Sequence, residues 1–196
     1  SVVNLNGGTL MANSVAVGTT QTPSFFNFNG GTLKVNTSSS VFLQGLTVAT
    51  VYPGGAAFDV ASNAVARVNQ SLLAPTGYGL SAVPLRSVGA NYIGAPIVVI
   101  TGGSGTGATA IASVDLADGS GTKGQLTGIT VTSPGSSYKN TDALTVSLYG
   151  GGCSTAAVTN TCTFALNSAA GGFTKKGLGT LILGGTNTYG GTTVIS

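Results

Sequence analysis

Few side chains in this sequence could perform acid–base or nucleophilic chemistry. The 196 residues include four aspartates, no glutamate and no histidine, so catalytic groupings that depend on His are impossible. Only Asp115 and Asp118 lie close together in sequence, within a Gly- and Ser-rich segment. A glycosidase would need Asp59 or Asp142 to meet this pair in a groove. We therefore expect no catalytic residues and no enzyme activity.

Asp115 and Asp118 are also the one candidate for a metal site. Ca²⁺ takes six or more oxygen ligands, and the remaining ligands of such a site are not evident in the sequence. Aspartates in a Gly/Ser segment more often accept hydrogen bonds from their own turn. The pair is thus a weak Ca²⁺ candidate, with a turn-forming role favoured, and we expect no cofactor.

Cys153 and Cys162 are the two cysteines, and they flank the segment STAAVTNT. Metal binding would require further Cys, His or acidic ligands nearby, and redox chemistry is the other alternative. The favoured interpretation is a disulfide that closes a short loop, with a stabilisation of about 2.5–3 kcal/mol. A disulfide would indicate an oxidising compartment.

The composition excludes some partners. Charged residues make up 6% of the chain, against roughly 25% in a typical soluble domain. The net charge of +3 is spread along the sequence, so we expect no nucleic-acid partner. Apolar runs such as APIVVI are far shorter than a membrane-spanning helix requires, and no membrane span is expected. The sequence has no initiating Met and no signal-peptide pattern, which suggests a processed or excised chain.

Short alternating segments bounded by Gly, Asn and Ser predict an all-β protein. In GTLILGG, Leu181 and Leu183 share one face of a strand, and in LTGITVTSPG Ile129 and Val131 do the same. No long segment has the 3.6-residue apolar period of a helix. Strands must therefore position any functional residue.

A repeat near the N-terminus predicts how these strands are arranged. NLNGGTLMAN at 4–13 and NFNGGTLKVN at 27–36 are identical at seven of ten positions, with a spacing of 23 residues. Strands repeated at such a period stack to build a continuous core, with equivalent residues in ladders. The predicted ladder positions are Asn4, Asn6, Leu10, Asn27, Asn29, Leu33, Leu181, Leu183 and Asn187.

A second, longer repeat occupies the middle of the chain. Gly-x-x-Tyr occurs at Tyr92 and again at Tyr138, and each is followed by a strand pattern and a Gly-rich turn. We expect either wider coils of the same stack or a β-rich lobe. The predicted organisation is solenoid coils over 1–84, the duplicated Gly/Tyr-rich segment over 85–165, and a further coil over 166–196.

The last segment resembles a known repeat. GGFTKKGLGTLILGGTNTYGGTTVIS at 171–196 is similar to the autotransporter-associated β-strand repeat, also called the passenger-associated transport repeat. The similarity extends from Lys175 to Val194, with Lys176 where the family usually has a small polar residue. This resemblance implies a right-handed parallel β-helix exported to the bacterial cell surface, and no particular activity.

The expected function is therefore structural. We predict a segment or subunit of an extracellular β-solenoid fibre that associates end to end with neighbouring coils, because terminal strands offer unpaired backbone groups. One alternative is an adhesin that binds glycans or surfaces through the Tyr-rich region near 88–152. A polysaccharide-degrading enzyme is the less favoured alternative.

Overall fold

A computed structural model of the chain describes residues 1–18 and 23–196. These residues form strands, turns and loops, and no helix occurs among them. The described part of the chain therefore contains no apolar helix that could cross a bilayer. Two compact units are present, one made of residues 1–76 and 168–196 and the other of residues 77–167.

The first unit is a β-solenoid in which each turn contributes three strands. The first turn contains β1 (Val2–Leu5), β2 (Thr9–Met11) and β3 (Val15–Ala16). The second contains β4 (Phe25–Phe28), β5 (Thr32–Val35) and β6 (Ser39–Gln44). The third contains β7 (Val48–Val51), β8 (Ala56–Val60) and β9 (Val65–Val68), and β10 (Leu72–Leu73) begins the next.

The second unit consists of the eight strands that follow. They are β11 (Tyr78–Ala82), β12 (Leu85–Ser87), β13 (Ile97–Gly102), β14 (Thr106–Val114), β15 (Leu126–Ser136), β16 (Leu144–Tyr149), β17 (Val158–Thr159) and β18 (Thr163–Leu166). The chain then returns to the first unit as β19 (Phe173–Lys176), β20 (Thr180–Leu183) and β21 (Thr193–Ile195).

Three parallel sheets build the solenoid. Their strand orders are β1-β4-β7-β10, β2-β5-β8-β19-β21 and β20-β9-β6-β3. The predicted stacking of coils is confirmed. Leu10 stands in register with Leu33, and Asn4 stands in register with Asn27. Because parallel strands in register place like positions above one another, each inward position forms a column along the solenoid axis.

An aromatic column fills the centre of this unit. The ring centroids of Phe28 and Phe58 lie 5.4 Å apart, those of Phe58 and Phe173 5.5 Å, and those of Phe173 and Tyr189 5.6 Å. Phe58 and Phe28 have no exposed surface. Buried aromatic side chains contribute much of the apolar area that holds such a core together. The column joins turns that are distant in sequence.

The second unit uses antiparallel pairing throughout. Its pairs are nested: β11 with β18, β12 with β17, β13 with β16, and β14 with β15. The chain thus runs out along one set of strands and returns along the other. This arrangement is that of a lobe with its own sheets rather than of wider parallel coils. The unit spans 77–167, compared with the 85–165 expected from the sequence repeat.

Candidate functional site

The open ends of the five-stranded sheet are the candidate site, and they are joined by one column of inward positions. Residue by residue, the column is Leu10, Leu33, Phe58, Lys175 and Ile195. Leu33 and Phe58 are completely buried. The two end members are not: Leu10 is 36% exposed and Ile195 is 79% exposed. Apolar side chains thus stand uncovered at inward-facing positions at both ends.

Backbone groups at these two ends are also available. Ala12 N donates to Lys34 O, and Thr32 N donates to Gly8 O, so the residues just before and just after β2 bond to the neighbouring turn. The alternation of a parallel ladder directs the N–H of Met11 away from β5, to the open edge. At the other end, Ser196 N donates to Lys175 O, and the same alternation directs the N–H of Ile195 outward.

Lys175 is the one charged residue in this column. Its register with Phe58 and Ile195 gives it an inward position, and its Nζ donates to the carbonyl oxygen of Gly177 in the following turn. The long aliphatic stem can pack on the column while the ammonium group reaches the polar edge. Lys175 therefore does not interrupt the apolar column with an isolated charge.

The predicted asparagine positions make contacts between turns. Asn27 Nδ2 donates to Asn4 Oδ1 at 2.8 Å, and Gly54 N donates to Asn29 Oδ1 at 2.9 Å. Leu72 N donates to Asn187 Oδ1 at 2.9 Å, so this side chain substitutes for a ladder acceptor. Asn6 lies exposed in the turn after β1. Asn4, Asn27, Asn29 and Asn187 therefore join one turn to the next.

The remaining predicted ladder positions lie on the third sheet. Leu181 is in register with Ala66, and Leu183 with Val68. Both leucines pack against the main core cluster, as expected from their shared face.

Asp115 and Asp118 are engaged within their own loop. Asp115 Oδ2 accepts hydrogen bonds from the hydroxyls of Ser120 and Thr122, which lower the pKa of this carboxyl. Asp118 pairs with Lys123. No group of three or more potential metal ligands occurs among residues 1–18 and 23–196. The geometry is that of a loop held together by its own carboxylate.

The other two aspartates also have local partners. Asp142 Oδ2 accepts from the backbone N–H groups of Ser104 and Lys139, each at 2.9 Å, and its pKa is lowered by these bonds. Asp59 in the solenoid lies 3.7 Å from Lys34 Nζ. Each carboxylate therefore stabilises its own turn or strand pair.

The expected disulfide is not present in the structure. Cys153 and Cys162 are both free thiols. Cys153 packs against the cluster around Tyr92, whereas Cys162 belongs to a different cluster with Leu80 and Val83. Burial raises the pKa of the Cys162 thiol. Sequence proximity suggested a bridge, but the fold directs the two side chains into separate clusters. The structure consequently offers no support for an oxidising compartment through these residues.

The duplicated Gly-x-x-Tyr motifs form two equivalent cradles. Tyr92 and Tyr138 are 3% and 5% exposed. The hydroxyl of Tyr92 accepts from Ala157 N at 2.9 Å, and that of Tyr138 accepts from Ala108 N. Both rings lie against the glycine three residues earlier: a Cβ at Gly89 or at Gly135 would lie 2.7 Å from the ring. The duplication predicted from sequence thus corresponds to a repeated core element.

Burial of these rings bears on the adhesin interpretation, which requires a face of exposed tyrosines. Tyr52 is buried along with Tyr92 and Tyr138, whereas Tyr149 is 58% exposed. Tyr78 and Tyr189 are half-buried. The tyrosines therefore do not form a common exposed platform within either unit.

The class that this geometry defines is a parallel β-solenoid with an antiparallel unit inserted in sequence within one of its turns, between β10 and β19. No protein family, curated protein or solved structure matches the chain. The similarity of residues 171–196 to the autotransporter-associated repeat therefore stays a prediction.

Proposed function

We propose that this chain is a structural segment of an extracellular β-solenoid fibre. Each open end pairs with a further parallel turn, supplied by a continuation of the same array or by another copy. The observation that carries the proposal is the column that begins at Leu10 and ends at Ile195. When one copy is placed on the next, Ile195 of the first covers Leu10 of the second, and the inward column continues.

The physical gain from such stacking has two parts. Apolar surface at the inward positions of both ends leaves water. Backbone N–H and C=O groups along the terminal strands also gain ladder partners, which matters because exposed edges tend to pair with other chains. A head-to-tail contact of this kind does not close on itself and so generates a filament.

Two features support the cell-surface location. The sequence resembles repeats of exported bacterial passengers, and its polar residues are mainly uncharged Ser, Thr and Asn, with charged residues making up only 6% of the chain. Tight turns and continuous ladders leave little unpaired backbone for proteases within the stack, which suits an exposed fibre.

Association of the purified chain tests the proposal. Sedimentation velocity over a range of concentrations should show oligomers that grow with concentration, and electron microscopy should show filaments. The three parallel sheets have four or five strands each, and a spacing of about 4.8 Å per strand gives an axial repeat of about 19–24 Å per copy.

The test variant is Met11→Pro, which removes an outward N–H at the open edge of β2. Met11→Ala is the matched control, because it shortens the same side chain but keeps the donor. We expect Met11→Pro to remain monomeric with an unchanged circular dichroism spectrum, and Met11→Ala to assemble. Monomers of the unmodified chain at every concentration, or filaments of Met11→Pro equal to those of Met11→Ala, would contradict the proposal.

A further inference from the structure

A groove lies on the outer face of the third solenoid sheet. It has a volume of about 340 Å³ and is lined by Ser38, Ser39, Ser40, Val65, Arg67 and Ile182. Arg67 on β9 is in register with Ile182 on β20, so the two side chains stand beside each other on this face. We refer to these six residues as the Arg67 groove.

An irregularity in β6 shapes one side of the groove. Ser39 is in register with Ala66 and Leu43 with Val68, so five residues of β6 oppose three of β9. The extra residues form a bulge that contains Ser40. Bulges re-aim side chains and backbone groups next to binding surfaces, and this one places Ser40 beside Ser38 and Ser39. Ser38 Oγ accepts from Val65 N and Ser39 Oγ accepts from Val41 N, so each hydroxyl keeps its proton to donate.

The guanidinium of Arg67 is held in place from this bulge. Arg67 Nε donates to Asn69 Oδ1 at 2.8 Å, and Asn69 Nδ2 donates to the carbonyl oxygen of Ser40 at 3.3 Å. Because Nε makes the internal bond, the two Nη groups are left for a ligand. Gly184 lies beside them, since a Cβ at that position would be in ordinary contact with Nη2, at 3.5 Å.

No carboxylate in the described part of the chain pairs with Arg67. Ion pairs among residues 1–18 and 23–196 join Lys34 to Asp59 and Lys123 to Asp118. Asp115 and Asp142 are occupied by hydroxyl and backbone donors in their own loops. A pre-positioned and uncompensated guanidinium is complementary to a planar anion such as a carboxylate, which it can bind with two parallel hydrogen bonds.

We propose that the Arg67 groove binds a carboxylated glycan chain. A uronate carboxylate occupies the Nη groups of Arg67, the aliphatic face of the sugar lies on Val65 and Ile182, and ring hydroxyls bond the serine side. An acidic peptide fits less well, because extended peptides are commonly recognised by adding to a sheet edge. Here the backbone of β9 is already paired on both sides, with β6 and β20.

Binding of oligogalacturonate to the intact chain tests this proposal, measured by calorimetry at near-physiological salt. The neutral counterpart is oligogalactan, and the acidic peptide is oligoglutamate. We expect oligogalacturonate to bind, and Arg67→Gln to weaken its affinity about tenfold or more, because charge-assisted hydrogen bonds are lost. Asn69→Ala, which keeps the charge but frees the guanidinium, should weaken binding less. Arg86→Gln, an exposed arginine in the other unit, is the matched control and should bind as the unmodified chain does.

Three results would overturn the proposal. One is the absence of oligogalacturonate binding while circular dichroism shows the native fold. Another is equal affinity in Arg67→Gln and Arg86→Gln, which would indicate non-specific attraction to a basic protein. The third is Arg67-dependent binding of oligoglutamate as tight as that of oligogalacturonate, which would indicate an acidic peptide ligand. None of these results depends on whether the chain assembles end to end.

Discussion

Truncation of Phe58 to alanine tests whether the aromatic column holds the solenoid together. Phe58 is completely buried, and its ring lies 5.4 Å from that of Phe28, 6.5 Å from that of Phe42 and 5.5 Å from that of Phe173. These neighbours belong to turns before and after β8, so the cavity would open in the centre of the stack. Phe58→Ala therefore removes contacts between turns, not only within one.

The expected cost is large. Phe→Ala changes in close-packed cores reduce the free energy of unfolding by about 3–5 kcal/mol, through lost burial and the cavity left behind. We expect the upper part of this range, because strands paired on both sides cannot readily collapse into the space. Phe58→Leu, which refills much of the volume, should cost markedly less.

Urea denaturation followed by far-ultraviolet circular dichroism measures this change. Leu178→Ala is the control, since Leu178 is 88% exposed and its truncation should alter stability by less than about 0.5 kcal/mol. A loss below about 1 kcal/mol in Phe58→Ala, similar to that of the control, would refute the central role of the column.

Three further predictions concern the second unit. Tyr92→Phe should lower the free energy of unfolding by about 1–2 kcal/mol, because the buried Ala157 N–H loses its acceptor, whereas Tyr149→Phe should have little effect in the same denaturation assay. The pKa of Asp142 is lowered in the folded state, so its stabilisation is complete above the ordinary carboxyl pKa and is lost as the pH falls through the folded value. Thermal melts between pH 7 and pH 2 should therefore show a smaller acid loss for Asp142→Asn than for the unmodified chain; equal losses would be inconsistent with this assignment. In the absence of reductant, a thiol reagent should modify Cys153 before the buried Cys162, and it should modify both cysteines after denaturation. If the denatured chain had no reactive thiol, the two cysteines would be joined by a disulfide and this prediction would be wrong.

The sequence repeat was sufficient to predict the stacking of the first turns. Identical residues 23 positions apart can only form ladders if their strands lie in register, and this is the pairing observed for Asn4 with Asn27 and Leu10 with Leu33. Strand alternation likewise identified the inward face of β20. Both features depend only on the alternation within a strand and on its contact with the adjacent turn, and a local sequence pattern is sufficient to predict them.

The candidate sites were less accessible from sequence. End-to-end association was predicted because terminal strands offer unpaired backbone groups, but the Arg67 groove was missed. Its signal in the sequence is a run of serines at the start of β6, followed by Arg67 and Asn69. This run predicts no groove until the bulge in β6 is known. The cysteines show the opposite error. Their short spacing in sequence suggested a disulfide, but the fold packs the two side chains in different clusters.

Local periodicity thus determined that this chain is all-β, which positions face inward and how adjacent turns align. The tertiary structure alone decided that β8 pairs with β19, which lies more than a hundred residues later, and that the intervening residues form an antiparallel unit of their own. The physical reason is that a strand's alternation specifies the face it presents but not its partner. A strand pairs with the strand whose side chains complete the core. Here β19 is that partner for β8, because its Phe173 stacks on Phe58.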